Sequence, residues 1–197
     1  MSSPTLSREP PEHRPLVEVL DERRGTFGMS LFITSEAMLF ALLFGAYFFL
    51  GAGPRRWKVD EPPKLHFALP MLALLVLSSI VLHWGDEQAN KERYVPARLA
   101  LIATMLLGLL FIVLSYFDFH EELRSLTPRT DAYGSIFYTI LGTHLTHLSV
   151  GLLMMLWVLP QLRPGKAYHN VSLYWHFVDS VWVAIVVVLF ILPHFGL

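Results

Sequence analysis

Apolar residues along the chain fall into five long runs, over about 26–50, 66–83, 96–117, 133–159 and 172–192. Runs of roughly 17–27 residues, coiled as helices rising about 1.5 Å per residue, are long enough to cross a hydrocarbon core of about 30 Å. The punctuation between them agrees. Gly51, Gly53 and Pro54 close the first run, Pro62 and Pro63 precede the second, and Pro96 opens the third. Pro160 and Pro164 end the fourth and Pro193 stops the fifth, as expected of residues that terminate helices. The pattern predicts an all-α membrane protein, a five-transmembrane-helix bundle over 26–197 behind a polar N-terminal arm over 1–25. No internal repeat or low-complexity tract interrupts it. The first apolar run lacks a small-residue cleavage site and reads as a retained span, not a secretory signal.

Composition supports the membrane assignment. Of 197 residues, 54% are hydrophobic and 16% charged, against about a quarter charged in a soluble domain. The net charge of −1 gives no basic footprint, so nucleic acid is not an expected partner. With no cysteine, the chain can form neither disulfides nor thiolate metal sites. Lys and Arg in the short loops set the orientation. With the N-terminus inside, Arg8, Arg14, Arg23, Arg24, Lys91, Arg93, Arg98, Arg163 and Lys166 lie inside and outnumber Arg55, Arg56, Lys58, Lys64, Arg124 and Arg129 outside. That asymmetry favours N-terminus inside, C-terminus outside. Trp57, Trp84, Tyr94, Tyr116, Tyr133, Trp157, Tyr168 and Tyr174 cluster near helix ends and read as an interfacial aromatic belt.

Against this apolar background, each ionisable residue inside a span demands a reason, because a charge at the bilayer centre costs about 2.5–3.5 kcal/mol on insertion scales. Six stand out: Glu36, His83, His144, His147, His176 and Asp179. Glu36 sits roughly 15 Å into the first span, in FITSEAMLF. Desolvation there favours a neutral carboxyl unless a cation or donor is near. It is either a hydrogen-bonding structural acid or a proton-collecting one. His144 and His147, at i and i+3 of the fourth span, share a face. The opposite face carries Ser135, Thr139, Gly142, Thr146 and Ser149, a small-residue stripe suited to close helix packing. The His-x-x-His spacing invites a metal reading, but no third ligand of suitable spacing and no adjacent Glu accompany it. Hydrogen bonds to neighbouring helices are the simpler expectation. His176 and Asp179, in YWHFVDSVW, are again i and i+3. Spacing leaves open whether they pair with each other or face different helices. With the N-terminus inside, all six fall at mid-depth or in the inner half, so they could form one network.

FITSEAMLF, YGSIFYTILGTHLTHL and YWHFVDSVW together resemble the signature stretches of the cytochrome c oxidase subunit III family of haem-copper terminal oxidases. The resemblance runs from about residue 24 to the C-terminus. It implies a short, five-helix form of the subunit with N-in, C-out topology in a bacterial plasma membrane. It also implies that the chain itself holds no cofactor or metal and has no catalytic residue, haem and copper residing in partner subunits. Its partners would be oxidase subunits I and II and phospholipids bound in an interhelical cleft, with a respiratory supercomplex as a wider assembly. Its role would be to stabilise subunit I and support proton uptake while the oxidase reduces oxygen with cytochrome c as donor. Glu36 matches the family's buried helix acid, His147 the second histidine of the fourth-span motif, and His176 and Asp179 the WHFVD pair. Trp84, Trp175 and Arg98 are the residues placed to meet lipid. The family often reads Gly-Phe-His-Gly-x-His in that fourth span. Here Thr143 and Thr146 stand among Gly142, His144, Leu145 and His147, so Phe and Gly are replaced.

Three alternatives carry their own signatures. A quinol oxidase subunit or a nitric oxide reductase accessory protein would share the fold, and the neighbouring subunit II would separate them by its copper ligands. A small proton-coupled transporter would suit the buried Glu and His, but no inverted repeat or broken span is present. An autonomous haem-copper enzyme needs more helices than 197 residues can supply.

Overall fold

A computed structural model describes residues 16–52, 65–122, 132–161 and 167–195. It contains five long helices: α1 (Leu16–Gly51), α2 (Leu65–Asn90), α3 (Tyr94–Glu122), α4 (Ala132–Val158) and α5 (Ala167–Ile185). Each is long and apolar enough to span a membrane. The helices outrun the apolar runs at their ends. α1 begins at Leu16, inside the stretch read as a polar arm, because Leu, Glu and Arg in LVEVLDERR favour helix; its span-competent part starts at Arg24. α2 continues past His83 to Asn90, so that histidine stands within the helix and not at its end.

α2 and α3 form a hairpin. The Arg93 N–H donates to the Gln88 carbonyl at 2.9 Å and the Glu92 N–H to the Ala89 carbonyl at 3.0 Å. These are the two bonds of a Schellman ending, with Glu92 left-handed at φ 58° where glycine is usual. Pro96 is tolerated because the first turn of a helix has no intrahelical partner for its missing N–H. Pro160 converts the end of α4 to a 3-10 turn over Leu159–Gln161. Pro193 does not stop α5 outright. The helix widens to π over Val186–Ile191, with the Leu192 N–H reaching the Val187 carbonyl, and tightens to 3-10 over Leu192–Phe195. A wider turn relieves the clash of a proline ring with the carbonyl four residues back.

α5 is the hub, packing on α1, α2 and α4, while α1 rests chiefly on α4 and α5. Trp175 of α5 is fully buried and wedged between two glycines. A Cβ on Gly108 of α3, or on Gly151 of α4, would lie 2.9 Å from its ring. Its indole N–H donates to Ser78 Oγ of α2 at 2.9 Å. Trp175 therefore joins α2, α3, α4 and α5 and is closed to lipid, against the expectation that it would meet one. Trp84 and Arg98 are exposed.

Two further expectations change. Tyr133, Tyr168 and Tyr174 are buried in the core and do not join the aromatic belt, whereas Trp84, Tyr116 and Trp157 are exposed as a belt requires; Trp57 lies outside the described residues. On α4, Ser135, Thr139 and Thr146 are exposed and Gly142 has open space beside it, so the small-residue stripe is not a seam within this chain. The Thr139 and Thr146 hydroxyls bond back to carbonyls four residues earlier, which satisfies them without a neighbouring helix.

Candidate functional site

The titratable residues divide into separate places instead of one network, because helix positions three apart differ by about 60° around the axis and α4 has different neighbours on either side. His147 turns toward α1. Its Nδ1–H donates to the Thr143 carbonyl at 2.7 Å, and its Nε2 lies 2.8 Å from Glu36 Oε2. The carbonyl can only accept, so Nδ1 carries a proton. Nε2 and Oε2 then share one proton: either a neutral acid donates to a neutral ring or an imidazolium donates to a carboxylate. In both forms the pair is neutral overall, which is how two ionisable groups persist in lipid. Phe40 closes one side, its ring 5.0 Å from that of His147, and the Tyr174 hydroxyl donates to the His147 carbonyl at 3.2 Å.

Glu36 is thus the polar tether of a helix most of whose described residues are not buried, Phe40 and Tyr47 being the exceptions. Glu36→Gln is expected to keep the tether, because a side-chain amide N–H can donate to Nε2. Glu36→Leu is expected to lose it and to loosen α1 by about 0.6–1.7 kcal/mol, the range of interhelical hydrogen bonds in membranes. Thermal stability of the solubilised protein together with protease protection of α1 checks this ranking.

The second place joins α5 to α2. His176 and Asp179 do not bond each other; both bond Ser79, in the middle of α2. The Ser79 hydroxyl donates to Asp179 Oδ2. His176 Nδ1 lies 2.8 Å from Ser79 Oγ and Nε2 lies 3.3 Å from Ser172 Oγ. Because Ser79 has a single proton and gives it to the carboxylate, the His176 Nδ1–H donates to Ser79, and in the neutral ring Nε2 accepts from Ser172. The result is one aligned row, Ser172 to His176 to Ser79 to Asp179, in which each donor points along the chain. Oδ1 of Asp179 is buried without a protein partner.

His83 stands beside this row, its ring 6.2 Å from that of His176, but it is exposed and reaches Glu87 at 3.8 Å. Toward the α2–α3 turn, His169 Nδ1 of α5 meets Asp86 Oδ2 of α2 at 2.9 Å, with Asp86 largely covered and His169 half open. Ser79, Ser172, Asp86 and His169 are not singled out by the sequence. The Ser78-Ser79 pair inside VLSSIVLHW is the available signal for the first, and Asp86 lies beyond residue 83, where the second apolar run ends. His144 turns the other way, into the junction of α3, α4 and α5, where it stacks on Trp182. Among the described residues no three His, Asp or Glu converge to hold a metal ion.

Five membrane-length helices tied by the Glu36–His147 and Asp86–His169 pairs and the Ser79 row define a multi-pass membrane protein built to sit in lipid. A sequence profile of the family described as cytochrome c oxidase subunit III matches residues 19–193. The chain is 32% identical over 172 residues to the probable cytochrome c oxidase subunit 3 of Mycobacterium leprae (strain TN), covering 83% of this chain and 85% of the relative. It is 31% identical over 189 residues to cytochrome c oxidase subunit 3 of Bacillus sp. (strain PS3), covering 90% of each. For the Synechocystis sp. (strain ATCC 27184 / PCC 6803 / Kazusa) subunit the identity is 30% over 176 residues, covering 84% and 75%. The chain belongs to the cytochrome c oxidase subunit III family, in its five-helix form, and is a respiratory-chain membrane protein homologous to bacterial oxidase subunits.

Proposed function

We propose that the chain is the cofactor-free stabilising subunit of its oxidase, packed beside the catalytic subunit I in a bacterial plasma membrane with its N-terminus inside. Haem, copper and the cytochrome c contact belong to subunits I and II. The observation that carries this reading is what the buried titratable groups touch. Glu36 and His147 tie α1 to α4, and His176 and Asp179 tie α5 to α2 through Ser79. Groups spent on holding helices together suit an accessory subunit better than a transporter, whose polar groups would line a path for solute.

Two finer roles go with it. For proton uptake, the row from Ser172 to Asp179 consists of groups that can each reverse donor and acceptor roles, so a proton entering at one end can leave at the other. With the N-terminus inside, the Asp86–His169 pair stands at the cytoplasmic end of that row. For lipid, α5 and the π segment that continues it leave Ser180, Val183 and Val187 exposed between His176, which faces α2, and Phe177, whose ring lies 6.4 Å from Phe40 of α1. That apolar strip between two helices suits acyl chains, with Arg98 and Trp84 available to the headgroup region.

The test is assembly. Asp179→Asn keeps an acceptor for the Ser79 hydroxyl and is expected to leave the oxidase complex intact on mild detergent extraction. Asp179→Leu removes the acceptor of the Ser79 hydroxyl, costs about 1–3 kcal/mol, and is expected to lower both recovery of the complex and its survival through repeated turnover. Mass spectrometry of what copurifies reads both outcomes. If Glu36→Gln proved the more disruptive change and Asp179→Leu the silent one, the assignment of tether and row would be refuted.

A further inference from the structure

The junction of α2, α3, α4 and α5 contains a polar place that neither the Glu36 tether nor the Ser79 row uses. His144 is 1% exposed. Its ring stacks on Trp182 with centroids 5.1 Å apart and meets Phe111 edge-on at 6.0 Å. Neither ring nitrogen has a protein hydrogen-bond partner, and neither has the indole N–H of Trp182. Buried donors and acceptors left in that condition are rare in folded proteins. A cavity of about 10 Å³ lies beside them, lined by Ser115, Asp118, His144 and Trp182 among apolar side chains that include Met71 and Phe111. That volume admits one water molecule and little more.

We propose that this cavity is a binding site for a single water molecule that hydrogen-bonds His144 and links α3, α4 and α5. The donor and acceptor inventory selects the ligand. A neutral imidazole offers one N–H and one bare nitrogen, and Trp182 offers an N–H only. The Ser115 hydroxyl spends its proton on the Phe111 carbonyl at 2.9 Å, leaving oxygen lone pairs. Asp118 adds a carboxyl that is 6% exposed. The occupant must therefore accept from a nitrogen and donate to an oxygen within one small volume, and water does both. A cation would face the Trp182 N–H, and an apolar gas would leave every one of these nitrogens unsatisfied. Water in an otherwise oily junction needs two to four polar partners, and the lining supplies them from three helices.

The intact membrane complex containing this chain tests the assignment. Electron cryo-microscopy at a resolution that shows ordered waters is expected to reveal an isolated peak within about 3.5 Å of a His144 ring nitrogen and of a second polar atom among Trp182 Nε1, Ser115 Oγ and the Asp118 carboxyl. A featureless cavity, in a map where other buried waters are resolved, overturns the proposal. Radiolytic footprinting gives an independent reading, because hydroxyl radicals formed from bound water oxidise the side chains touching it. Met71 lines the cavity and Met155 does not, though both are fully buried. Met71 is expected to oxidise several-fold faster than Met155, and equal rates contradict the site. In His144→Phe the peak and the excess at Met71 should both vanish, and their persistence would also overturn it. Should that variant fail to assemble, the unmodified complex still decides through the map and the two methionines.

Discussion

Trp175→Ala is expected to destabilise the bundle by about 3–5 kcal/mol, the range for emptying a buried aromatic site. The upper end applies because the cavity cannot collapse. Two of its walls are Gly108 and Gly151, which have no side chain to move into the space, and the other helices are held by the same residue. Lipid gives no hydrophobic drive for helix association, so lost contact translates directly into lost stability. Trp175→Phe separates packing from polarity. It retains most of the ring volume but drops the N–H bond to Ser78, whose own hydroxyl already donates to the Leu75 carbonyl at 2.7 Å. It should cost less than half as much as alanine. Unfolding in detergent micelles measures both, and an alanine effect below about 1 kcal/mol would show that α5 does not organise the bundle through this residue.

The second large effect is expected from adding one methyl group. In Gly85→Ala the new Cβ would stand 2.0 Å from the Tyr168 hydroxyl oxygen and 2.6 Å from Ala100 Cβ. The tyrosine ring can swing aside, but the Ala100 Cβ is rigidly attached to α3, so α2 and α3 must separate. Overpacking of this kind costs about 1–3 kcal/mol or more. Gly28→Ala and Gly45→Ala are the matched controls, since both glycines lie within α1 and an added methyl at either would meet nothing. Those two should be neutral or stabilising by about 0.5–1 kcal/mol through helix propensity. Adding Tyr168→Phe to Gly85→Ala should recover only the hydroxyl part of the loss. Thermal melting of the four variants in one detergent provides the comparison, and a Gly85→Ala protein as stable as the Gly45→Ala protein would refute the close approach of α2 and α3.

Much of the architecture is legible in the chain because lipid imposes a one-dimensional rule. Every backbone group in a span must be satisfied within its own helix, so apolar length alone marks the five helices. The ends are less legible. Leu16–Arg24 and His83–Asn90 are helical although polar, because helix propensity continues a helix where hydropathy has ceased. Pro193 reads as a stop, yet a π turn carries the helix across it.

Within the site, depth is readable but direction is not. The costliness of ionisable groups in an apolar run singles out Glu36, His144, His147, His176 and Asp179 from residue type alone. What each one touches depends on how the helices are rotated about their axes. His144 and His147, one turn apart, end up against Trp182 and Glu36 on different neighbours. His176 and Asp179 meet through Ser79, a residue nearly a hundred positions away that looks ordinary in sequence. The chain by itself determined how many helices there are, what family they form and which side chains are too polar to be left alone. Only the tertiary structure decided their partners, because a hydrogen bond is directional over about 3 Å whereas the hydrophobic pattern that builds each helix has no preferred azimuth.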